Sequence, residues 1–436
     1  MILITYTTEY REGGAELQRT ARTMRDQMRR DGRAVRCERV ESKREFVDAL
    51  QAAGSTEAGI DELHFCGHSG MYGPMFGTQE FPEQFSPHEW RELEIPFSET
   101  GEAFFHACRT ARWFAPFFAR TFSVPTHGYH WYTTFSASPD RFIPPRWADG
   151  DELYLFGCPG KTSHGVVGAL GKYTGWLEPE ELKRFEPEDL EGADGTYDEV
   201  ADLYDAVFDD IRVRVDEWRW LSDHMPDSAV EGKHSPAVLD IGCGNGALLD
   251  QLSPRISKGR GVDVSPEMLD LARERNAEYD HIEFSRVEGP NLPYEDASFD
   301  VVVSFLSFRY LDWDPILMEL NRVLKSGGRF LVVDLVTKGL ELSEVPDFVG
   351  STLRVWWARR HFPEFKENLE RLVDHPGWEE MLDHNPIRSE HEFKWYLESR
   401  FPDRGVEKIN IGWKNRVLAF DSGPIDREEF ASQSYP

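Results

Sequence analysis

The sequence is poor in lysine and in cysteine, and it has no long hydrophobic run. Only 12 of its 49 basic residues are lysines, and 78 acidic residues bring the formal net charge to −29. This balance argues against a general nucleic-acid surface, because such a surface needs clustered lysine and arginine side chains. An acid-rich, lysine-poor composition fits either a salt-rich cytoplasm or simple solubility, and the sequence leaves both open.

The five cysteines are odd in number, widely spaced and without a C-x-x-C pair. Their spacing argues against a disulfide framework and fits a reducing, cytoplasmic location. Since no stretch approaches 18 consecutive apolar residues, we expect no membrane span. The opening string MILITYTTEYREGG lacks the basic start and long apolar run of a signal peptide. We therefore expect no nucleic-acid or membrane partner, and the oligomeric state is left open.

The domain organisation follows from length and from alternating patterns. At about 150 residues per domain, 436 residues allow two or three domains. Strand and helix patterns alternate in both halves, which is typical of α/β folds with parallel sheets. An acidic stretch at 176–195 is predicted to link a domain over 1–175 to a second over 196–425. Within the second domain, residues 341–400 are predicted to form a helical, aromatic insert.

Finer predictions can be made for the first half. Residues 71–101, rich in Gly, Pro, Phe and Glu, are predicted to form a long loop or insertion. Helices are predicted at 16–30, at 43–53 and after residue 108. Strands are predicted at residues 1–7, 34–40, 61–66, 103–108, 124–134 and 153–156.

The most informative string is VLDIGCGNG at 238–246. It places Asp240 near the end of an apolar strand, and glycines at 242, 244 and 246 follow before a predicted helix. Glycine lets the backbone turn tightly and approach a ligand, and the carboxyl end of a strand is the usual ligand crevice of open α/β sheets. The G-x-G-x-G spacing with an acid before it favours a cationic ligand group over a pyrophosphate. A dinucleotide loop is the alternative.

A second carboxylate stands in register with this loop. Asp263 ends the next predicted strand, 17 residues after Gly246. A carboxylate at that position can accept hydrogen bonds from both hydroxyls of a ribose. The alternative role is a helix N-cap, because Ser265-Pro266-Glu267 opens a helix.

Five strings resemble class I S-adenosylmethionine-dependent methyltransferases over about residues 196–420. In chain order they are TYDEVADLYDAVF, VLDIGCGNG, GVDVSPEMLDLAR, GPNLPYEDASFDVVVS and NRVLKSGGRFLVVD. The resemblance implies a Rossmann-like domain with a seven-stranded sheet and S-adenosylmethionine as the cofactor. It further implies methyl transfer to a small-molecule or peptide acceptor.

The same resemblance implies a set of cofactor-binding residues. Asp240 and Gly242 would lie near the methionine end, Gly244 and Gly246 would shape the loop, and Asp263 would hold the ribose. Other implied contacts are Tyr197, Tyr204, Val264, Met268, Glu288, Ser304 and Phe305.

Several of these assignments have alternatives. Val264 and Met268 would flank the adenine or pack in the core. Glu288 stands where the family often has aspartate. The two tyrosines would reach into the site or fasten their helix to the core.

The candidate general bases are His361, His384 and His391. An acceptor needs a general base only if it must lose a proton.

Two strings in the first half carry possible nucleophile chemistry. His68 and Cys108 each lie at the end of a predicted strand, and neighbouring parallel strands would place them at the same edge of the sheet. A histidine beside a thiol can generate the nucleophilic thiolate, and a helix starting near Ala111 would favour it further. These strings, HFCGHSG and FHACRTA, resemble the caspase-like fold in its CHAT branch, with Ser69 where glycine is expected. The resemblance implies a catalytic His68/Cys108 pair and a cysteine peptidase.

Other interpretations of the first half stay open. His64, Cys66 and His68 alternate along one strand, and thiol and imidazole groups can hold transition metals. Alternate strand positions more often face a packed sheet, so no metal is predicted. The remaining interpretations are a domain that assists substrate binding by the methyltransferase and a non-enzymatic scaffold that recruits a partner.

Overall fold

The computed structural model describes residues 1–54, 59–147, 150–160, 165–187, 198–226, 235–378, 381 and 387–426. The chain divides into two compact units, Met1–Gly192 and Ala193–Pro436. Each unit is built on its own largely parallel sheet, as the alternating patterns predicted. In the part of the chain that is described, no helix combines the length and apolar character that a membrane crossing needs.

The first unit is an α/β unit. Its strands are β1 (Ile2–Tyr6), β2 (Val35–Arg39), β3 (Ile60–Cys66), β4 (Ser69–Gly70), β5 (Gly73–Pro74), β6 (Phe76–Gly77), β7 (Pro82–Glu83), β8 (Phe97–His106), β9 (Thr126–Gly128), β10 (Thr133–Ser136), β11 (Tyr154–Gly157) and β12 (Lys183–Phe185). Its helices are α1 (Gly14–Arg30), α2 (Lys43–Gly54), α3 (Pro87–Glu92), α4 (Phe114–Phe122) and α5 (Gly165–Tyr173). The main sheet has the order β2-β1-β3-β8-β9-β12, in which β12 runs antiparallel to β9.

Alternating side chains along the central strands bury both faces of this sheet. On one face, Phe65 and Phe105 pack with aromatic residues from α3 and α4, including Trp90 and Phe114. On the other face, Ile4 packs in a smaller cluster with residues of α1. Burial on two sides explains why β1 (ILITY) is apolar along most of its length.

The structure differs from the sequence prediction at three places in this unit. The strand predicted at 124–134 is divided between β9 and β10, because the segment between them crosses the end of β8. There, the amides of Arg109 and Ala111 donate to the carbonyl groups of Trp131 and Tyr129. The 71–101 segment is not one loop, since it contains β5 to β7 and α3. The first unit also extends beyond residue 175, because β12 completes its sheet within the predicted linker.

The second unit is also α/β. Its strands are β13 (Ala237–Ile241), β14 (Lys258–Asp263), β15 (Ile282–Arg286), β16 (Phe299–Phe305), β17 (Leu324–Thr337), β18 (Glu407–Ile411) and β19 (Asn415–Asp421). Its helices are α6 (Ala201–Phe208), α7 (Val215–His224), α8 (Ala247–Leu252), α9 (Pro266–Arg275), α10 (Trp313–Val323), α11 (Val345–Ala358), α12 (Phe365–Val373) and α13 (Glu390–Arg400). The described strands form a seven-stranded sheet in the order β15-β14-β13-β16-β17-β19-β18.

The strand order defines where a ligand can bind in this sheet. The chain runs outward from β13 through β14 to β15, and then returns to the other side of β13 as β16. The strand order therefore reverses between β13 and β16. In open α/β sheets the ligand crevice lies outside the carboxyl ends of the strands at such a point. Asp240 and Phe305 stand at those two strand ends.

Helices before and after the sheet complete the unit. Before the sheet, a short turn at Ile211–Val213, which the Asp210 side chain caps, separates α6 from α7. The described parts of residues 341–400 contain the helices α11 to α13, as predicted. Trp356 and Trp357 of α11 are 59% and 61% exposed, so they are not core residues of this unit.

Candidate functional site

The glycine loop after β13 turns through three left-handed glycines. The φ angles of Gly242, Gly244 and Gly246 are 72°, 51° and 73°. A Cβ atom at Gly242 would lie 2.4 Å from the Cβ of Ser307, so a side chain there is excluded by space as well as by conformation. A Cβ atom at Gly244 would meet nothing within 4 Å. The loop backbone is therefore accessible to a ligand at Gly244.

A narrow pocket opens between this loop and α6. It is lined by Tyr204, Phe208, Ile211, Arg214, Asp240, Gly242, Cys243, Gly244, Asn245, Leu248 and Phe305. The structure thus brings together five of the residues that the sequence assigned to a cofactor site. The pocket volume is about 30 Å³. The rings of Tyr204 and Phe208, whose centroids are 4.7 Å apart, form part of its wall.

Asp240 is the buried acid of the pocket. It is 1% exposed, and its Oδ1 atom is buried without a hydrogen-bond partner among the described residues. Burial first, and the nearby Asp263 carboxylate second, together raise the pKa of this carboxyl group to about 8. An unpaired buried carboxyl is costly unless a donor or cation compensates it. The site therefore favours a ligand that presents a cationic N–H group to Asp240.

Arg214 is the pocket's cation, and the sequence reasoning did not identify it. Its guanidinium carbon lies 3.8 Å from the centroid of the Phe208 ring. Its Nε atom is buried without a hydrogen-bond partner among the described residues. An arginine just before a helix gives no sequence signal of this role. The pocket thus offers an acid and a cation with unpaired atoms, which matches the two charges of an amino-acid group.

Asp263 is held at the end of β14 by backbone hydrogen bonds. Its Oδ2 accepts from the amide of Gly244 at 2.8 Å, and its Oδ1 accepts from the amide of Ser265 at 3.0 Å. The N-cap of α9 is Ser265, whose Oγ accepts from the amide of Met268 at 3.1 Å. The alternative of Asp263 as the N-cap is therefore wrong. Burial raises the pKa of Asp263, while the backbone amides favour its carboxylate form.

The remaining predicted adenine contacts differ in position. Val264 is 47% exposed beside Asp263, so its side chain is available to a ligand. Met268 is 2% exposed, which agrees with the core-packing alternative. Glu288 is largely exposed and pairs with Arg286 at 2.8 Å, so the structure gives it no position in the pocket. Tyr197 lies outside the described residues.

Two predicted residues support the loop instead of lining the pocket. The hydroxyl of Ser304 is buried and lies 2.7 Å from the hydroxyl of Ser307, which donates to the carbonyl oxygen of Ile241 at 2.5 Å. Gly246 begins α8 as its N-cap. These contacts hold the end of β16 against the glycine loop.

Asn245 also ties the loop to α6, and sequence reasoning passed over it. Its Nδ2 donates to Asp205 Oδ1 at 2.8 Å and to the carbonyl oxygen of Phe208 at 3.1 Å. Asp205 in turn pairs with Arg275 at 2.6 Å. In the sequence, the only indication of this role for Asn245 is its position within the string at 238–246. These bonds connect the glycine loop to the helix that lines the pocket.

The two described histidines among the proposed general bases do not line the pocket. His361 and His391 are both exposed and neither lines it, while His384 lies outside the described residues. The pocket itself offers no histidine among the described residues.

The first unit places the ends of β3 and β8 side by side. Cys66 is in register with His106, so His68 and Cys108 follow neighbouring parallel strands, as predicted. Each side chain has its own partner. The sulfur of Cys108 lies 3.2 Å from the hydroxyl of Thr133, and Nε2 of His68 donates to the carbonyl oxygen of Glu12 at 3.1 Å.

Three further features bear on the His68/Cys108 prediction. The Nε2 donation fixes the neutral tautomer of His68 with Nδ1 unprotonated, and burial lowers the pKa of the ring. Arg109, next to Cys108, has a strained φ of 61°. Because a short turn at Thr110–Arg112 intervenes, α4 begins at Phe114 and not near Ala111. A catalytic pair at these positions stays a prediction.

Histidine and cysteine side chains elsewhere on β3 and β8 contact one another or the core. His64 Nδ1 lies 3.1 Å from His106 Nε2, and His64 Nε2 lies 2.9 Å from a carboxylate oxygen of Glu62. The Cys66 sulfur contacts the sulfur of Met24 at 3.6 Å. Within the described ranges, no group of three or more such side chains is arranged to hold a metal ion.

The second unit is therefore an open α/β domain with a ligand pocket at the reversal of its strand order. Residues 239–332 match a family described as a methyltransferase domain. The sequence is 33% identical over 141 residues to demethylmenaquinone methyltransferase of Chlorobaculum parvum, covering 32% of this chain and 57% of that protein. It is 33% identical over 102 residues to a sterol 4-C-methyltransferase of Caenorhabditis elegans, covering 22% of this chain and 30% of that protein. The chain thus spans little more than half of the first relative.

A solved structure is also similar to this unit. An S-adenosylmethionine-dependent methyltransferase from Aquifex aeolicus is 18% identical, with a TM-score of 0.33, over 51% of this chain and 97% of that protein. The family match and the relatives confirm the predicted methyltransferase resemblance. Within the second unit, residues 239–332 are therefore similar to a methyltransferase domain, and the unpaired charged atoms of the pocket suit a ligand with an amino-acid group.

Proposed function

We propose that this chain transfers a methyl group from S-adenosylmethionine to an apolar small molecule. The observation that carries the proposal is the pocket in which Asp240 and Arg214 each keep an unpaired buried atom. Asp240 would hold the ammonium group and Arg214 the carboxylate of the cofactor. Asp263, fixed by two backbone amides, would accept the ribose hydroxyls, and Val264 would cover the adenine.

The protein's part in this reaction is alignment and exclusion of water. The bound cofactor supplies a methyl group already activated by its positively charged sulfur. Tyr204 and Phe305 line the pocket with aromatic surface, and they would shield the reacting atoms from water. Orienting the acceptor in line with the methyl group supplies much of the rate enhancement. Because the pocket shows no histidine base among the described residues, we favour an acceptor that is already nucleophilic.

Two observations support an apolar acceptor. The names of two matched relatives refer to a menaquinone precursor and a sterol, which are apolar molecules. In this chain, Trp356 and Trp357 of the helical insert keep most of their surface exposed. Exposed aromatic surface of this kind can bind apolar molecules. We propose that the first unit, with the caspase-like fold its motifs resemble, assists substrate binding.

The proposal predicts transfer of label from methyl-labelled S-adenosylmethionine to an apolar acceptor. The full chain would be incubated with a panel of quinols, sterols, phenols and unstructured peptides. We expect label in the organic extract of at least one apolar acceptor. The control is Asp270→Asn, since this side chain is 80% exposed on α9 and should leave activity unchanged. Label only in peptides would contradict the apolar acceptor, and no transfer to any compound would contradict the proposed function.

A thiol nucleophile in the first unit is the second candidate function. It is favoured by the adjacent strand ends that carry His68 and Cys108. Cys66, Cys158 and Cys243 are buried, and burial raises the pKa of Cys37 to about 11. Cys108 is partly exposed, so it should react first with an alkylating reagent.

The prediction is measured as alkylation rates of each cysteine by mass spectrometry near neutral pH. If His68 assists the thiol, His68→Ala should slow alkylation of Cys108 by about tenfold or more, because the thiolate fraction falls. His88→Ala is the control. An unchanged rate in the His68 variant would leave the first unit without a Cys–His pair, in agreement with a scaffold or substrate-binding role.

A further inference from the structure

The first unit contains a cavity of about 960 Å³ that the methyltransferase site does not use. It lies between the segment after β10 and the segment that links α5 to β12. Five aromatic rings line it, from Tyr129, Phe142, Trp147, Phe156 and Tyr173. Aromatic rings present a negative face, and several of them around one space are suited to an organic cation.

The charged residues of this cavity are mostly acidic. Its lining includes the carboxylates of Asp140, Glu178, Glu180 and Glu181, and the cations of Arg141 and Lys172. Four negative and two positive charges give the cavity wall a net charge of −2. The wall therefore favours a positively charged occupant.

Glu180 is the acid that lacks compensation. Its Oε2 atom is buried and has no hydrogen-bond partner among the described residues. Its backbone amide donates to the carbonyl oxygen of Gly157 at 2.9 Å, which holds the residue beside the end of β11. A buried carboxylate oxygen without a donor or cation carries an unfavourable desolvation cost. A ligand that supplies a positive charge would remove that cost.

Lys172 does not supply that charge. Its side chain is only 8% exposed, and its Nζ donates to the sulfur of Cys158 at 3.8 Å. In the described part of the chain, no ion pair joins Lys172 to Glu180. The ammonium group is turned toward the thiol, so Lys172 does not compensate the negative charge on the acidic side of the cavity.

We propose that this cavity is a binding site for an organic cation, an ammonium group carried on an alkyl chain. The ammonium group would lie among the aromatic rings and close to Glu180, and its alkyl chain would run along the apolar wall. This ligand site is separate from the cofactor pocket, and it does not depend on methyl transfer.

The test compares three probes of similar shape and different charge on the full chain. Choline is the cation, its carbon isostere with a tert-butyl group is the neutral probe, and a carboxylate with the same tert-butyl group is the anion. Binding would be followed by ligand-observed saturation-transfer NMR. We expect choline to bind at least about tenfold more tightly than the neutral probe, because cation–π and carboxylate contacts add to the shared apolar contact.

Two variants test whether the preference for choline over the neutral probe arises in this cavity. Glu180→Gln keeps the size of the side chain and removes its charge, so the preference for choline should fall by about tenfold while the neutral probe binds as before. Glu152→Gln is the matched control, because Glu152 is an exposed residue of the same unit that does not line the cavity. Equal binding of choline and the neutral probe would overturn the proposal. Tighter binding of the carboxylate would also overturn it and would indicate a Lys172-directed anion site.

Discussion

Replacing Asp240 with asparagine will weaken binding of S-adenosylmethionine by about 100-fold or more, which corresponds to about 2.7 kcal/mol. The wild-type carboxyl belongs to a pocket-lining residue, is buried, and has an Oδ1 atom without a hydrogen-bond partner among the described residues. An ammonium group would supply the missing cation, whereas asparagine offers no negative charge to it. Isothermal titration calorimetry of both proteins measures the difference. Unchanged affinity in Asp240→Asn would show that the ammonium group binds elsewhere.

The same carboxyl should make cofactor binding release protons. With a pKa of about 8, Asp240 is mostly protonated at pH 7 in the ligand-free protein. Binding of an ammonium group favours the carboxylate, so up to one proton leaves for each cofactor bound. Calorimetry in buffers of different ionisation enthalpy measures that number. Asp240→Asn should lose this contribution, and a release equal to wild type would assign the proton to another group.

The stability of the ligand-free protein should show the same titration. Folding raises the pKa of Asp240. The neutral carboxyl therefore contributes its full stabilisation to the folded state below about pH 4, which is the pKa of an aspartate in the unfolded chain. That contribution is lost as pH rises through the folded pKa of about 8. Asparagine cannot ionise, so the Tm of Asp240→Asn should exceed that of wild type at pH 9. This comparison also shows that the variant folds.

The sequence predicted the cofactor side of the second unit because its signals are local. The string at 238–246 contains a strand, an acid and three glycines, and the structure gives all three glycines positive φ angles. The position of Asp263 at the end of the next strand was predictable because the interval between the glycine loop and that strand end is regular in such folds. Alternatives stayed open at the positions where burial decides the place of a side chain. Met268 is in the core and Glu288 is on the surface, and neither position follows from spacing alone.

The features that the sequence did not predict depend on contacts between distant segments. Arg214 enters the pocket because the turn before α7 passes over Phe208, and no motif encodes that path. The cavity beside Glu180 needs segments around β10, β11 and β12 to meet. In the first unit, the parallel sheet was predictable from alternation. The separate partners of His68 and Cys108 were not, since Glu12 lies in the loop before α1 and Thr133 begins β10, both distant in sequence from the residues they contact.

Replacing Asp263 with asparagine will remove recognition of the ribose while leaving the amino-acid end of the pocket in place. Asparagine keeps the side-chain size, but its amide nitrogen cannot accept a hydrogen bond. The asparagine side chain therefore cannot accept hydrogen bonds from the amides of Gly244 and Ser265 and from the ribose hydroxyls at the same time. We expect affinity for S-adenosylmethionine to fall by about 100-fold, because charge-assisted bonds to both hydroxyls are lost.

A pair of smaller ligands separates this effect from general damage to the pocket. Methylthioadenosine lacks the amino-acid end of the cofactor, and its deoxy analogue also lacks the ribose hydroxyls. Wild type and Asp240→Asn should both prefer methylthioadenosine by about tenfold or more, since Asp263 is intact in both. Asp263→Asn should bind the two ligands equally. If Asp263→Asn kept the preference, the ribose would be held by other residues, and Asp263 would serve only to fix the glycine loop through Gly244.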